Sequence, residues 1–327
     1  MTMPNTHNHD LETPSSSNKL WDKIQAQATY AIACGALQSI PTHHEWIEQG
    51  GVSFLVRSLD TLARKEKAKK AQNKLTPSGK PFNPFLPYET DLFVTHLSET
   101  HLCLLNKYNV VDHHLLIVTR AFEEQETWLN QQDFAALWQC LSEIDGLAFY
   151  NGGKLAGASQ PHKHMQLVPI LVATNDGAIP IEAVFAEDLL QPCASKTLSG
   201  NHHSPISSVQ QLDTLPFNHA IAQLAIPPDV PVHQVSSVLV NIYHQLLDAF
   251  IHDTALKGDR QTLAYNLLAT RRWMMVVPRT QESYASISVN SLGFAGSLFV
   301  KDENQLQILR QTGPMTVLQK VAQSKPS

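Results

Sequence analysis

The sequence predicts an α+β protein, an antiparallel sheet with helices packed against it. Two segments, LLNKYNVVDHHLLIVTR and LLATRRWMMVVPR, each read as strand, polar turn and strand, and each closes on an arginine. The stretches around Leu20 to Ile32, Gln131 to Gly146 and VSSVLVNIYHQLLDAFIHDTAL place apolar residues at helical intervals. Between them GASQPHKHMQLVPI, residues 157–170, alternates as a half-buried strand does.

Residues 1–18 are polar and rich in Ser, Thr and Asn, and they read as a flexible tail. The single domain expected over 19–327 begins with the helix whose buried face carries Leu20, Trp21, Ile24, Ala28, Ala31 and Ile32. EWIEQGGVSFLVRSL reads as a helix end passing through Gly50-Gly51 into a strand. RKEKAKKAQNKLTPSGKPFNPFLPYETDL is a charged run followed by a proline-rich loop; such a run is usually a solvated face, and here it also offers a cation, Lys65, to a polyphosphate. The first hairpin follows, with strands at 102–105 and 115–118 around a turn at 106–112, and then the helix that ends near Gly146. Residues 173–235, rich in Pro, Ser, His and Asn, read as an irregular excursion. A long helix and the second hairpin complete the chain. The two hairpins can be laid over each other, which pairs Lys107 with Thr270 or Arg271 and suggests two related halves, about 19–172 and 235–327, of one sheet.

The 327 residues suffice for a sizeable core, and 43% hydrophobic with 16% charged content is that of an ordinary globular protein. A net charge of −5 argues against nonspecific nucleic-acid binding, while a phosphate-bearing small molecule needs only a local positive site. No apolar run reaches the roughly 18–20 residues of a membrane span, and the start lacks a basic-then-apolar signal, so the expected location is the cytoplasm. The four cysteines, Cys34, Cys103, Cys140 and Cys193, form no CxxC pair and read as reduced thiols; no metal site is expected.

In the alternating strand His162, His164 and Gln166 share one face, opposite Lys163, Met165 and Leu167. The preceding YNGGKLAGASQP has three glycines and small residues, which let backbone N–H groups turn toward an anion. A neutral imidazole is a good nucleophile at neutral pH, so a row of imidazoles beside an anion cradle suits phosphorus-group transfer. Taken alone, the pair also fits zinc ligation or a hydrogen-bonded core. The cradle residues are Gly157, Ala158, Ser159 and Gln160, with Asn151 and Gln166 as amide donors. The attacking nitrogen presents its lone pair only if the other ring nitrogen is a held donor, and a carbonyl of the YNGG loop is the expected partner. Asn266 and Thr270 are further contacts, Arg279 reads as a strand-end salt bridge, and Trp273, Met274 and Met275 as core. His113, His114, His202, His203 and His233 carry no ligand spacing with cysteine.

HKHMQ after YNGGKLAGASQ, together with KPFNPFLPYE and the two hairpins, strongly resembles the ATP adenylyltransferases, also called diadenosine tetraphosphate phosphorylases, of the histidine triad superfamily, on the branch shared with galactose-1-phosphate uridylyltransferases. The resemblance runs from about residue 20 to the C-terminus. It implies a histidine-triad-like fold and reversible phosphorolysis of diadenosine tetraphosphate by phosphate to ATP and ADP, through a covalent adenylyl-histidine. It implies His164 as nucleophile, His162 orienting it or binding phosphate, and Asn106 and Lys107 reaching the distal phosphates. Gln166 stands where a full triad has its third histidine; it can hydrogen-bond a phosphoryl oxygen but cannot act as a general acid, which suits polyphosphate leaving groups. No covalent cofactor is implied, and Mg or Mn can accompany the polyphosphate. The expected partners are these nucleotides and phosphate, with no nucleic acid or membrane. Two rivals remain, a sugar-1-phosphate nucleotidylyltransferase, whose strand typically has a proline between the histidines, and a sensor that binds adenine dinucleotides without turnover.

Overall fold

The computed structural model describes residues 19–59, 83–170, 178–190, 208–224, 226, 230–251 and 258–326. The expected N-terminal tail and Lys65 lie outside these residues. Helix α1 (Lys19–Ala33) leads into a hairpin of β1 (Thr42–Gln49) and β2 (Val52–Leu59). Here the reading of a helix end at EWIEQ is corrected: the segment is a strand, because Gly50 and Gly51 both take positive φ, 61° and 79°, and close a two-residue hairpin.

The main sheet has eight strands, all paired antiparallel: β3 (Phe93–His96), β4 (His101–Leu105), β5 (Leu115–Thr119), β6 (Gly146–Gly152), β7 (His164–Pro169), β8 (Ala220–Gln223), β9 (Tyr265–Ala269) and β10 (Trp273–Pro278). Their spatial order is β3-β4-β5-β7-β6-β9-β10-β8, so both hairpins foreseen from sequence, β4–β5 and β9–β10, lie in one sheet. Three strands of this sheet escaped the sequence reading: the four-residue β3, β6 and β8. YNGG belongs to β6, a strand buried at every position, whose small and aromatic residues show no alternation because both faces are covered. Within the excursion, β8 is a four-residue strand on the edge of β10, too short to announce itself among its His, Asn and Pro neighbours.

Helix α2 (Gln131–Glu143), the short α3 (Glu187–Leu190) and the long α4 (Val232–Asp248) come next along the chain. The C-terminal part supplies the ribbon β11 (Ser283–Tyr284) and β12 (Ile287–Ser288), then α5 (Ser291–Phe294), β13 (Ser297–Val300), α6 (Glu303–Thr312) and α7 (Pro314–Val321). Strand β13 adds in parallel to β2, so the start and the end of the chain share a second, three-stranded sheet. No described helix is long and apolar enough to cross a membrane.

Alternation divides the main sheet between two environments. One face, with Cys103, Ile117, Met165, Ala148, Leu267 and Met274, packs beneath α1, α2 and α4 in the larger core. On the other face Phe149, Val168, Leu268 and Met275 meet the C-terminal segment, while Leu102, Leu104 and Val118 meet Phe85 in a separate small cluster. Trp273, Met274 and Met275 are fully buried, as the sequence led us to expect.

Lys163 crosses to the helix-covered face. Its Nζ donates to Asp133 Oδ2 at 2.7 Å, to the Trp128 carbonyl at 3.0 Å and to Glu123 Oε2 at 3.2 Å. Asp133 is itself the N3 residue of a capping box with Asn130 on α2, and its other oxygen lies 3.0 Å from His101 Nε2 on β4. With Lys163 and Asp133 each 1% exposed, removing one partner strands a charge out of water. Lys163→Met is therefore expected to lower the unfolding free energy in urea by about 3–5 kcal/mol, and the double variant with Asp133→Asn to recover most of it.

Candidate active site

His164 stands where the ladder of the main sheet breaks off. Val118 of β5 pairs with His164, but the β6–β7 ladder stops at Phe149 and Gln166, two pairs short of Asn151 and His164. Gln125, from the loop before α2, fills the gap. Its Oε1 accepts from the His164 backbone N–H at 2.9 Å, and its Nε2 donates to the Asn151 carbonyl at 3.0 Å. Gln125 carries no motif and was not foreseen.

His164 is 5% exposed, and its Nδ1 lies 2.8 Å from the carbonyl oxygen of His162. A carbonyl can only accept, so the proton is on Nδ1 and Nε2 carries the lone pair. The held-donor arrangement is thus present, with a corrected partner: the acceptor is the carbonyl two residues upstream and not the YNGG loop. Burial pushes the His164 imidazole down to about 4, against the pull of its bond to His162. The ring is therefore neutral at physiological pH.

His162 is fully buried, and both its ring nitrogens are engaged. Nε2 donates to the Thr119 carbonyl at 2.8 Å, and Nδ1 accepts from Asn83 Nδ2 at 3.1 Å. With both nitrogens engaged, this ring has none left for a phosphate. Phe85 packs against both imidazoles, with ring centroids 5.3 Å from His164 and 5.5 Å from His162.

Gln166 is set by a directional relay. The Tyr108 N–H donates to Asn106 Oδ1 at 3.4 Å, leaving Asn106 Nδ2 to donate to His114 Nδ1 at 3.2 Å. His114 must then carry its proton on Nε2, which donates to Gln166 Oε1 at 2.9 Å. The amide NH2 of Gln166 is what remains to face the site. Burial holds His114 down to about 4, so the relay keeps one direction at neutral pH. The adjacent pair at 113–114 was the only sequence signal for it.

The cradle is a 3₁₀ turn at Lys154–Ala156 continuing to Pro161. Gly157 takes φ +89°, and a Cβ there would stand 2.9 Å from the Val289 carbonyl, so the loop can press against 289–290 only with glycine. The Gly157 and Ala158 N–H groups are used inside the turn, on the carbonyls of Lys154 and Gly153. Ser159 and Gln160 make no hydrogen bond among the described residues, and their N–H groups and side chains are the donors the cradle offers.

The remaining predicted contacts fall elsewhere. Asn151 and Asn266 are buried in a structural network: Asn151 Oδ1 accepts from Asn266 Nδ2 at 2.9 Å and from the Ser291 hydroxyl at 2.8 Å, while Asn266 Nδ2 also donates to the Ala156 carbonyl at 2.8 Å. They carry the cradle and face no cleft. Thr270, 1% exposed, caps the β9–β10 turn by accepting from the Arg272 and Trp273 N–H groups. Four residues beyond Asn266 along β9, it stands roughly 13 Å from the level of His164. Arg279 forms no salt bridge among the described residues; it donates to Asn266 Oδ1 at 2.6 Å and to backbone carbonyls around it. Lys107 is paired with Glu89 at 2.6 Å in an exposed contact of the kind worth little.

Known proteins show the family. A family model described as the Ap4A phosphorylase N-terminal domain matches residues 10–187, more than half of the chain, and a second, the ATP adenylyltransferase C-terminal domain, matches 213–324. The chain belongs to the Ap4A phosphorylase family. Among its relatives is diadenosine 5',5'''-P1,P4-tetraphosphate phosphorylase 2 of Saccharomyces cerevisiae, 28% identical over 249 residues that cover 70% of this chain and 72% of the relative. Protein APA1 of the same yeast is 26% identical over 218 residues, 63% of each chain. The crystal structure of yeast Ap4A phosphorylase Apa2 superposes with a TM-score of 0.73 at 22% identity, covering 95% of this chain and 96% of that one, and shares its fold. The same yeast protein has also been solved in complex with Ap4A.

Two rings with burial-lowered pKa make a direct titration test. The ring signals of His164 and His114 in a 13C-histidine NMR titration are expected to stay those of neutral imidazole from pH 8 to about pH 5 and to shift only near about 4. Because the unfolded chain takes up those protons near pH 6.5, unfolding free energy is expected to be full above that pH and to fall as pH drops toward 4.

Proposed function

We propose that this chain is an ATP adenylyltransferase that splits diadenosine tetraphosphate reversibly with phosphate to ATP and ADP. The observation that carries the reading is the His164 ring: neutral, its Nδ1–H held by the His162 carbonyl, its Nε2 lone pair left to attack. Family membership and a relative solved with Ap4A support the choice of substrate.

In the proposed course Nε2 of His164 attacks the α-phosphorus, and the bond from that phosphorus to the bridging oxygen breaks. ATP leaves with the electron pair, and an adenylyl-histidine remains. The charge that grows on the phosphoryl oxygens meets the Gln166 NH2 and the donors at Ser159 and Gln160. As phosphorus binds Nε2 the ring becomes cationic, and the His162 carbonyl stabilises the Nδ1 proton through this step. Phosphate then attacks from the vacated side and carries the adenylyl group away as ADP, restoring the neutral ring. Neither leaving group needs a proton from the enzyme, so an amide suffices where a full histidine triad has its third histidine. Lys107 would exchange the Glu89 carboxylate for a distal phosphate, and Mg or Mn would travel with the polyphosphate. The reading places the reaction in the cytoplasm, in keeping with the free thiols of Cys103 and Cys140.

The test is incubation with α-labelled diadenosine tetraphosphate in the absence of phosphate, followed by a search for acid-labile, base-stable label on the protein. Label is expected on the unmodified protein and absent from His164→Ala, and added phosphate should release it as ADP. Label that survives His164→Ala refutes the nucleophile. Failure to label at all favours a dinucleotide sensor, and AMP as the main product a hydrolase.

A further inference from the structure

The two hairpins end on arginines, Arg120 one residue after β5 and Arg279 one residue after β10, and the structure treats them in opposite ways. All of Arg279's donor nitrogens are in use: Nε on the Val321 carbonyl, Nη1 on Asn266 and the Val289 carbonyl, Nη2 on the carbonyls of Gln281 and Glu282. Arg120 makes one side-chain hydrogen bond, from Nη2 to the Nδ1 of His96, and its Nε is buried with no partner among the described residues. Nor does it meet a carboxylate there, whereas Lys107, Lys163, Arg260, Arg272 and Arg310 each do.

Its place gives the missing anion an identity. Val118 pairs with His164, and Arg120, just past the end of β5, reaches His96, which is in line with Val118 through Leu102, so its guanidinium lies on the face of the sheet that carries His164. Its main chain is held there by an N–H to Thr100 carbonyl bond of 2.8 Å. A half-buried guanidinium that lacks an anion is costly unless one arrives, and a planar fork of donors suits phosphate oxygens.

We propose that Arg120 binds the polyphosphate of the dinucleotide beyond the phosphorus attacked, on the part that departs as nucleoside triphosphate. This rests on the proposed reaction and adds a residue to it. His96 is the resting partner: its neutral Nδ1 accepts from Nη2, a bond the guanidinium can leave for two charged oxygens.

Binding of two probes separates the possibilities: AMP, which has only the phosphate at His164, and a methylene-bridged diadenosine tetraphosphate that cannot be cleaved. With Arg120→Gln the affinity for the bridged analogue is expected to fall about 10- to 100-fold and that for AMP to stay within about 2-fold. The analogue's affinity should also respond less steeply to salt, and Arg120→Lys should recover part of it at low salt. An unchanged analogue affinity, or equal losses for both probes with the thermal midpoint preserved, overturns the assignment. If the unmodified protein binds neither probe, the proposed reaction itself falls.

Discussion

The hydrogen bond from His164 Nδ1 to the carbonyl of His162 is the constraint on which the rest of the site depends. An imidazole in water exchanges its proton between two nitrogens and gains a second near neutrality. Buried against Phe85 and held by a group that can only accept, the ring keeps one tautomer and one charge state. The acceptor is part of the same short segment, so anything that moves the backbone at 162–164 moves the His164 ring and its acceptor together.

That explains why so much surrounds three residues. The His162 ring is pinned by Thr119 and Asn83, the His164 main chain by Gln125, and Lys163 fastens the segment from the opposite face to Asp133 at the start of α2. The strand's alternation makes this possible: the imidazoles go to the face where Phe85 packs, while the lysine goes to the face covered by helices. A buried ion pair is an inefficient source of stability compared with apolar packing. Here it has a geometric consequence, because it ties helix α2, strand β4 through His101 and the reacting strand to one point.

The C-terminal part contributes a platform. Asn151, Asn266, Ser291 and Arg279 form a closed set of buried hydrogen bonds that joins β6, β9 and the start of α5 to the turn at Ala156. The cradle at Gly157 to Gln160 rests on that set. Two family models meet in one continuous sheet, and the site stands where the cover of its outer face changes from the small Phe85 cluster to the C-terminal core.

Period-two alternation in HKHMQLVPI placed His162, His164 and Gln166 together, and small residues marked the cradle, because both signals are local to the backbone. The hairpins, the principal helices and the family were legible in the same way. Long-range partners were not. Gln125 and His114 reach the site from residues 39 and 52 positions away along the chain, and no periodicity records such a meeting. Asn266 and Asn151 are amides, and an amide can serve a ligand or a buried carbonyl equally well; only the packing of β6 against β9 gave them to the interior. The sequence alone therefore determined which residues could do the chemistry, since that follows from side-chain type and local spacing. The tertiary structure decided which of them go to the interior, which nitrogen of His164 is free and that Arg120 Nε has no partner among the described residues, since each depends on groups that only folding brings within hydrogen-bond distance.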